Sequence, residues 1–234
     1  MNPIPTGTQQ PVVIPATAPH TASVIFIHGL GQSTFTWRAM IIEGLVQKLP
    51  HVEWVLPQAS EKPVTYSLGR RRSSWFDIAT LPPGEHEWDE PAIAESVALV
   101  EGLILFQIHR GIDVRRIFLV GFSQGAALSL VTALSTLHDL GGVVSLSGWI
   151  PPRARDLIFL QQTIASPNVP ILWCHGTADE DIPLPIAQNS VSFLRRHVNT
   201  TPESLVFNTY PGLGHTINDE EVEDLLAWLV ERTG

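Results

Sequence analysis

Charge is scarce in this sequence, and positive charge is scarcer than negative. Lys and Arg number 14 against 23 Asp and Glu, charged residues make up only 16%, and the formal net charge is −9. Nucleic acid demands a basic face, so no nucleic-acid partner is expected. Cysteine is almost missing as well. A lone Cys174 cannot build an intramolecular disulfide framework, and the chain suits a reducing compartment. Its place beside His175, at the end of an apolar run, marks a buried strand-end residue, with a cysteine nucleophile as the alternative. The N-terminus lacks a basic segment leading into an apolar one, Asn2 stands where myristoylation needs glycine, and the C-terminus is no prenylation box. No apolar stretch approaches the roughly 18–20 residues of a membrane span. A cytoplasmic protein is therefore expected, touching a membrane only through its substrate.

What the chain does have is apolar residues in a telling order. At 44% hydrophobic over 234 residues, it can bury a sizeable core within one domain. Residues 1–21 form a Pro- and Thr-rich arm, expected to be extended, in which Pro11-Val12-Val13-Ile14 can pair as a short edge strand. Residues 22–234 read as a single domain without repeats or linkers. β-Branched and apolar runs predict strands at 23–27, 52–56, 116–120, 143–146, 169–174 and 205–210. Helical spacing predicts helices over 36–49, 90–110, 124–137 and 218–232, the last with Asn218 as N-cap. Strands alternating with helices imply an α/β fold with a mostly parallel sheet covered on both faces. Ligands bind such sheets outside the carboxyl ends of the strands.

Gly121-Phe122-Ser123-Gln124-Gly125 lies at one of those ends. A serine between a strand and a helix, with glycines two residues away on each side, is the pattern of a strained turn that lifts the hydroxyl clear of the sheet. The turn also sets the Gln124 amide at a helix N-terminus, where a tetrahedral oxyanion would be stabilised. Serine is a weak nucleophile and needs a base, which in turn needs an orienting acid. His215 follows the last strand and is the candidate base; His197 sits in a helical pattern instead. Asp179 follows the fifth strand and is the candidate acid, with Asp181 as the alternative. His28-Gly29-Leu30-Gly31-Gln32 follows the first strand of the domain, and its Leu30 amide is the candidate second oxyanion donor beside that of Gln124. His28 is expected to support this loop rather than to react.

Taken together, Phe26-Ile27-His28-Gly29-Leu30-Gly31, Ser74-Trp75-Phe76-Asp77, the Ser123 pentapeptide, His175–Pro183 and Gly214-His215 resemble the acyl-protein thioesterase and phospholipase/carboxylesterase family. The resemblance covers roughly residues 22–232. It implies an α/β-hydrolase fold without a large lid domain, a triad of Ser123, Asp179 and His215, and no metal or organic cofactor. It also implies an acyl-enzyme on Ser123 that cleaves acyl thioesters or carboxylic esters, with an acylated protein or a small acyl ester as substrate. Short-chain carboxylesterase or lysophospholipase activity is the alternative, and a non-catalytic ligand-binding protein on the same scaffold is a reading from another class. A monomer or weak homodimer is expected. Trp75, Phe76 and Arg72, in the long connection 58–90, are expected to border the acyl site. The competing readings are plain core for the aromatics and a solvated loop for the arginines. Asp77 precedes the serine and reads as structural. The sequence departs from the family pattern at Gln32, where an acidic residue is usual, and in the run Arg70-Arg71-Arg72.

Overall fold

The computed structural model describes residues 10–164, 169–198 and 200–234. A seven-stranded sheet forms its centre. The strands are β1 (Val12–Ile14), β2 (Ala22–Ile27), β3 (Val52–Leu56), β6 (Ile117–Phe122), β7 (Gly142–Leu146), β8 (Ile171–Gly176) and β9 (Leu205–Tyr210), in the order β1-β3-β2-β6-β7-β8-β9. Only β1 runs antiparallel, pairing Val12 with Leu56 and Ile14 with Trp54. Residues 12–14 of the Pro-rich arm thus close one edge of the sheet, while residues 1–9 of that arm lie outside the described residues. A separate two-stranded ribbon holds β4 (Glu61–Val64) and β5 (Arg70–Ser73).

The strands read as apolar runs because both faces of the sheet are covered. Along β2, Ile25 and Ile27 join the core that α2 (Glu90–His109), α3 (Gln124–Ser135) and α5 (Leu184–His197) close. Val24 and Phe26 join the opposite core, closed by α1 (Thr34–Met40), its wider π-type continuation over Ile41–Val46, and α6 (Asp219–Thr233). Asn218 caps α6 as expected, accepting from the Glu221 amide at 2.9 Å.

Three elements escaped the sequence reading. The ribbon β4–β5 has charged residues and Pro63 in place of alternating apolar ones, and its turn is made by Leu68 and Gly69 at φ 56° and 75°. Helix α4 (Ala154–Ile164) was not expected, and α5 was seen only as a helical pattern near His197. The absence of any span-length apolar stretch also needs correcting. α2, with 20 residues, is long and apolar enough to cross a membrane by length and composition. Glu95 and Glu101 hide this in the sequence. Ile93, Val100, Leu103 and Ile104 of α2 are buried in the core beside α3, which is how an apolar helix behaves inside a covered sheet.

The order of the strands places the site. From β2 the chain moves outward to β3, then returns to the other side of β2 to form β6. The connections leave these two neighbours in opposite directions, which opens a crevice at their carboxyl ends. The His28 loop and Ser123 both stand there.

Candidate active site

Ser123 occupies the turn between β6 and α3 with φ 54° and ψ −119°. This region costs a non-glycine residue about 1–3 kcal/mol and persists only where the surroundings over-determine it. They do so here. A Cβ on Gly121 would lie 2.3 Å from the Gly125 carbonyl oxygen, and one on Gly125 would lie 2.1 Å from that of Ile27. Both glycines are therefore required by close backbone approach, and the Ser123 amide is tied to Leu146 O at 2.9 Å.

The hydroxyl of Ser123 bonds His215 Nε2 at 2.8 Å, and His215 Nδ1 bonds Asp179 Oδ2 at 2.8 Å. The two loops that carry the base and the acid are laced together by backbone bonds. Thr177 N donates to Tyr210 O at 3.0 Å, and Ala178 N to Leu213 O at 2.9 Å. Gly212, at φ 73°, donates to Thr177 Oγ1 at 2.9 Å. The His215 ring rests against Phe122, 4.9 Å between centroids.

Asp179 is buried, and its other oxygen accepts from the Ile182 amide at 2.8 Å. Burial alone would raise its pKa, but the bonds from His215 and Ile182 outweigh it and hold the carboxyl below its usual value. Asp181 lines the cleft and does not orient His215. His175 stands beneath this loop, fully buried, and its Nε2–H donates to Ile182 O at 2.7 Å. Burial depresses its pKa, so it supports the acid loop as a neutral imidazole. His197 closes the last turn of α5 against Phe193. Cys174 is buried, accepts from Tyr210 Oη at 3.3 Å, and has its thiol pKa pushed up by burial, which removes the cysteine nucleophile from consideration.

The loop after β2 has most of its amides engaged. Gly29 N donates to Gln32 Oε1 at 2.8 Å, Gly31 N to Ser73 O at 2.8 Å, and Gln32 N to Gly29 O at 3.2 Å. The Leu30 amide stands outside this set, and Leu30 lines the cleft with Ser123. Gln32 Oε1 also accepts from Trp37 Nε1 at 2.9 Å. Two N–H donors need an acceptor but no charge, which is why a neutral amide serves where the family pattern has an acid. His28 holds the loop from beneath. Its Nε2 accepts from Ala59 N at 3.1 Å, so Nδ1 carries the proton and donates to Gly29 O at 2.8 Å. Burial lowers the His28 pKa to about 4, which keeps it neutral.

Two expected substrate-binding residues lie elsewhere. Trp75 and Phe76 are only 2% and 5% exposed and do not line the cleft. Long-range polar bonds pull them into the core. Trp75 Nε1 donates to His28 O at 2.7 Å, Trp75 N to Gln124 Oε1 at 3.0 Å, and Gln124 Nε2 to Phe76 O at 2.7 Å. Phe76 packs against Trp149 and borders a separate small cavity with Trp88. Trp75 therefore supports the His28 loop and is not an acyl wall. Arg72 does line the cleft, which measures about 300 Å³ and is completed by Tyr66, Ser67, Leu81, Phe122 and Asp181. Gln58, missed in the sequence, joins the loop to the ribbon through Thr34 N at 3.0 Å and Ser73 Oγ at 2.6 Å. Among the described residues, no cluster of three or more His, Cys, Asp or Glu is placed to hold a metal.

Comparison with known proteins places this geometry in context. A profile of the phospholipase/carboxylesterase family matches residues 8–231. Acyl-protein thioesterase 1 of Yarrowia lipolytica is 38% identical over 221 residues, spanning 94% of this chain and 96% of that protein. The crystal structure of SOBER1 from Arabidopsis thaliana superposes with a TM-score of 0.82 at 32% identity, covering 92% of this chain and 100% of the other. That of Zea mays acyl-protein thioesterase 2 gives 0.81 at 27% identity, covering 96% and 99%.

Proposed function

The chain belongs to the phospholipase/carboxylesterase family, and from that premise we propose that it hydrolyses acyl thioesters and esters through a triad of Ser123, His215 and Asp179. The observation that carries the reading is His215, whose two ring nitrogens bond Ser123 and Asp179 at 2.8 Å each.

In this mechanism Ser123 Oγ attacks the acyl carbonyl carbon while its proton passes to His215 Nε2. Asp179, held anionic by its hydrogen bonds, fixes the tautomer and stabilises the imidazolium. The carbonyl oxygen becomes an oxyanion against the Leu30 and Gln124 amides, the second at the N-terminus of α3. Collapse expels the thiol or alcohol, protonated by His215, and leaves the acyl group on Ser123. Water, activated by the same imidazole, then attacks the acyl-enzyme, and the serine regains its proton. The relatives named as acyl-protein thioesterases support an acylated protein cysteine as the natural thioester.

A second reading, short soluble esters, is favoured by the cleft itself. Its volume of about 300 Å³ lies at the lower end of the roughly 300–1,000 Å³ range of small-molecule sites, and Arg72, Asp181, Tyr66 and Ser67 make its lining partly polar. Fluorophosphonate labelling tests the shared mechanism: the wild type should label and Ser123→Ala should not. Undiminished labelling of the variant would overturn it. A p-nitrophenyl ester series from C2 to C16 then separates the two substrates by where kcat/KM peaks.

A further inference from the structure

We propose that Arg72 selects substrates bearing an anionic group, a carboxylate or phosphate, close to the scissile ester or thioester. The inference rests on the hydrolase reading and adds a substrate class to it.

The first observation is that Arg72 is an uncommitted cation in the cleft. Successive residues of a strand face opposite sides of a ribbon. Arg71 therefore turns away from Arg72, and its guanidinium donates to the Glu61 carbonyl. Arg110 is likewise held by Glu53, and Arg115 by Asp139. Arg72 lines the cleft with Ser123 and His215, and its guanidinium has no acceptor among the described residues.

The second observation is where that cation is anchored. Ser73, the next residue, accepts from the Gly31 amide at 2.8 Å through its carbonyl and from Gln58 at 2.6 Å through its hydroxyl. Gly31 follows Leu30, the proposed oxyanion donor. The Arg72 backbone is thus stapled to the reacting centre, three residues beyond Gly69 of the ribbon turn rather than at its tip.

The third observation is the chemistry of its neighbours. Gln32 has its Oε1 engaged by two N–H donors, which leaves its Nε2 as the free end of the amide on a cleft residue. Tyr66 and Ser67 add hydroxyls to the lining. The ribbon and oxyanion-loop wall is therefore rich in donors. The carboxylate of the lining, Asp181, comes from a different element, the loop between β8 and α5. An anion beside Arg72 gains charge-assisted, bidentate bonds from a planar guanidinium, against a repulsion from Asp181 that weakens with distance from it. A neutral substrate gains no such bonds. In a chain of net charge −9, this local cation also offsets the long-range repulsion of an anionic substrate.

The test uses two matched pairs of substrates, with wild type, Arg72→Gln and Arg72→Lys. p-Nitrophenyl hemiglutarate against p-nitrophenyl valerate places the charge on the acyl side. 4-Acetoxybenzoate against its methyl ester places it on the leaving side. The readout is the anionic-to-neutral ratio of kcat/KM, normalised to wild type so that intrinsic reactivity cancels. For one pair, that ratio should fall about tenfold in Arg72→Gln, the loss of roughly one charge-assisted bond. It should be partly restored in Arg72→Lys and should shrink in wild type at 1 M salt, as expected of an exposed pair. Ratios unchanged by Arg72→Gln in both pairs would overturn the inference while leaving the hydrolase reading intact. No turnover of any of the four esters would overturn the inference, and absent fluorophosphonate labelling of Ser123 alongside it would overturn the hydrolase reading as well.

Discussion

The wall of the cleft that carries Ser123, Asp179 and His215 is made of strand ends, while the wall that carries Arg72 is made of an inserted ribbon and loop. The first is held by backbone. Gly121 and Gly125 are pressed against neighbouring carbonyls, and the loops after β8 and β9 exchange main-chain hydrogen bonds. The second adds long-range side-chain ties to its own ladder and to the main-chain bond from Gly31 N to Ser73 O. Side-chain bonds of Gln124, Trp75 and Ser96 tie the segment around Trp75 to α3, the His28 loop and α2 across long sequence separations, and Gln58 holds Ser73. The difference separates two tasks. Chemistry requires atoms fixed to a fraction of an ångström, which the carboxyl ends of packed strands supply. Selectivity tolerates a wall that other sequences could rebuild without disturbing the reacting atoms.

The largest expected effect that sharpens this comparison lies on the rigid wall. Asp179→Asn should lower kcat about 10⁴-fold, because His215 loses both its tautomer control and its counter-charge. Steady-state kinetics on any turned-over ester measures it, with circular dichroism as the check on folding. A loss of less than tenfold would mean that the acid is not where the geometry places it.

Stability should separate the walls next. Gly125→Ala forces a Cβ to 2.1 Å from Ile27 O and should cost about 3 kcal/mol in urea unfolding, the upper range for overpacking. Gly69→Ala, on the ribbon turn, meets nothing within 4 Å and carries only the strain of φ 75°. It should cost about 1 kcal/mol. Equal costs would contradict the contrast.

A pH dependence also belongs to the rigid side. Glu221, buried at the start of α6, has its pKa raised to about 7 by burial, against 4.5 for an ordinary glutamate. The folded chain therefore binds a proton that the unfolded chain has already lost. The stability this supplies is complete below pH 4.5 and drains away as pH rises to about 7, a change on the order of 3 kcal/mol. Glu221→Gln should flatten that part of the stability-pH curve; an unchanged slope would place the effect elsewhere.

A further, modest effect joins the two walls. Trp75→Phe removes the donor to His28 O and should cost about 1–2 kcal/mol, since that carbonyl stays buried. It should also lower kcat severalfold with little change in KM, because the oxyanion loop loosens rather than the binding surface. A change in KM alone would return Trp75 to the role of a substrate wall.

The same contrast decides what could be read in advance. Ser123, Asp179, His215 and Leu30 each follow an apolar strand within a short motif, so local spacing was enough to single them out as candidates. The strands themselves were legible because a doubly covered sheet needs unbroken apolar runs. Trp75 and Phe76 were misread because the groups that bury them, Gln124 and His28, lie 47 to 49 residues away. No local pattern records such a bond. The ribbon β4–β5 was invisible for a related reason. Of its strand residues only Val64 is buried, so nothing demands alternating apolar residues, and its pairing of Pro63 with Arg71 has no periodic signature.

The account turns on one covalent bond, between Ser123 Oγ and the acyl carbon. Turnover of a p-nitrophenyl ester, quenched in acid and mapped by peptide mass spectrometry, tests it most directly. The acyl mass should appear on the peptide containing Ser123 and vanish in Ser123→Ala. An acyl adduct on any other residue, with Ser123 unmodified, would contradict the account.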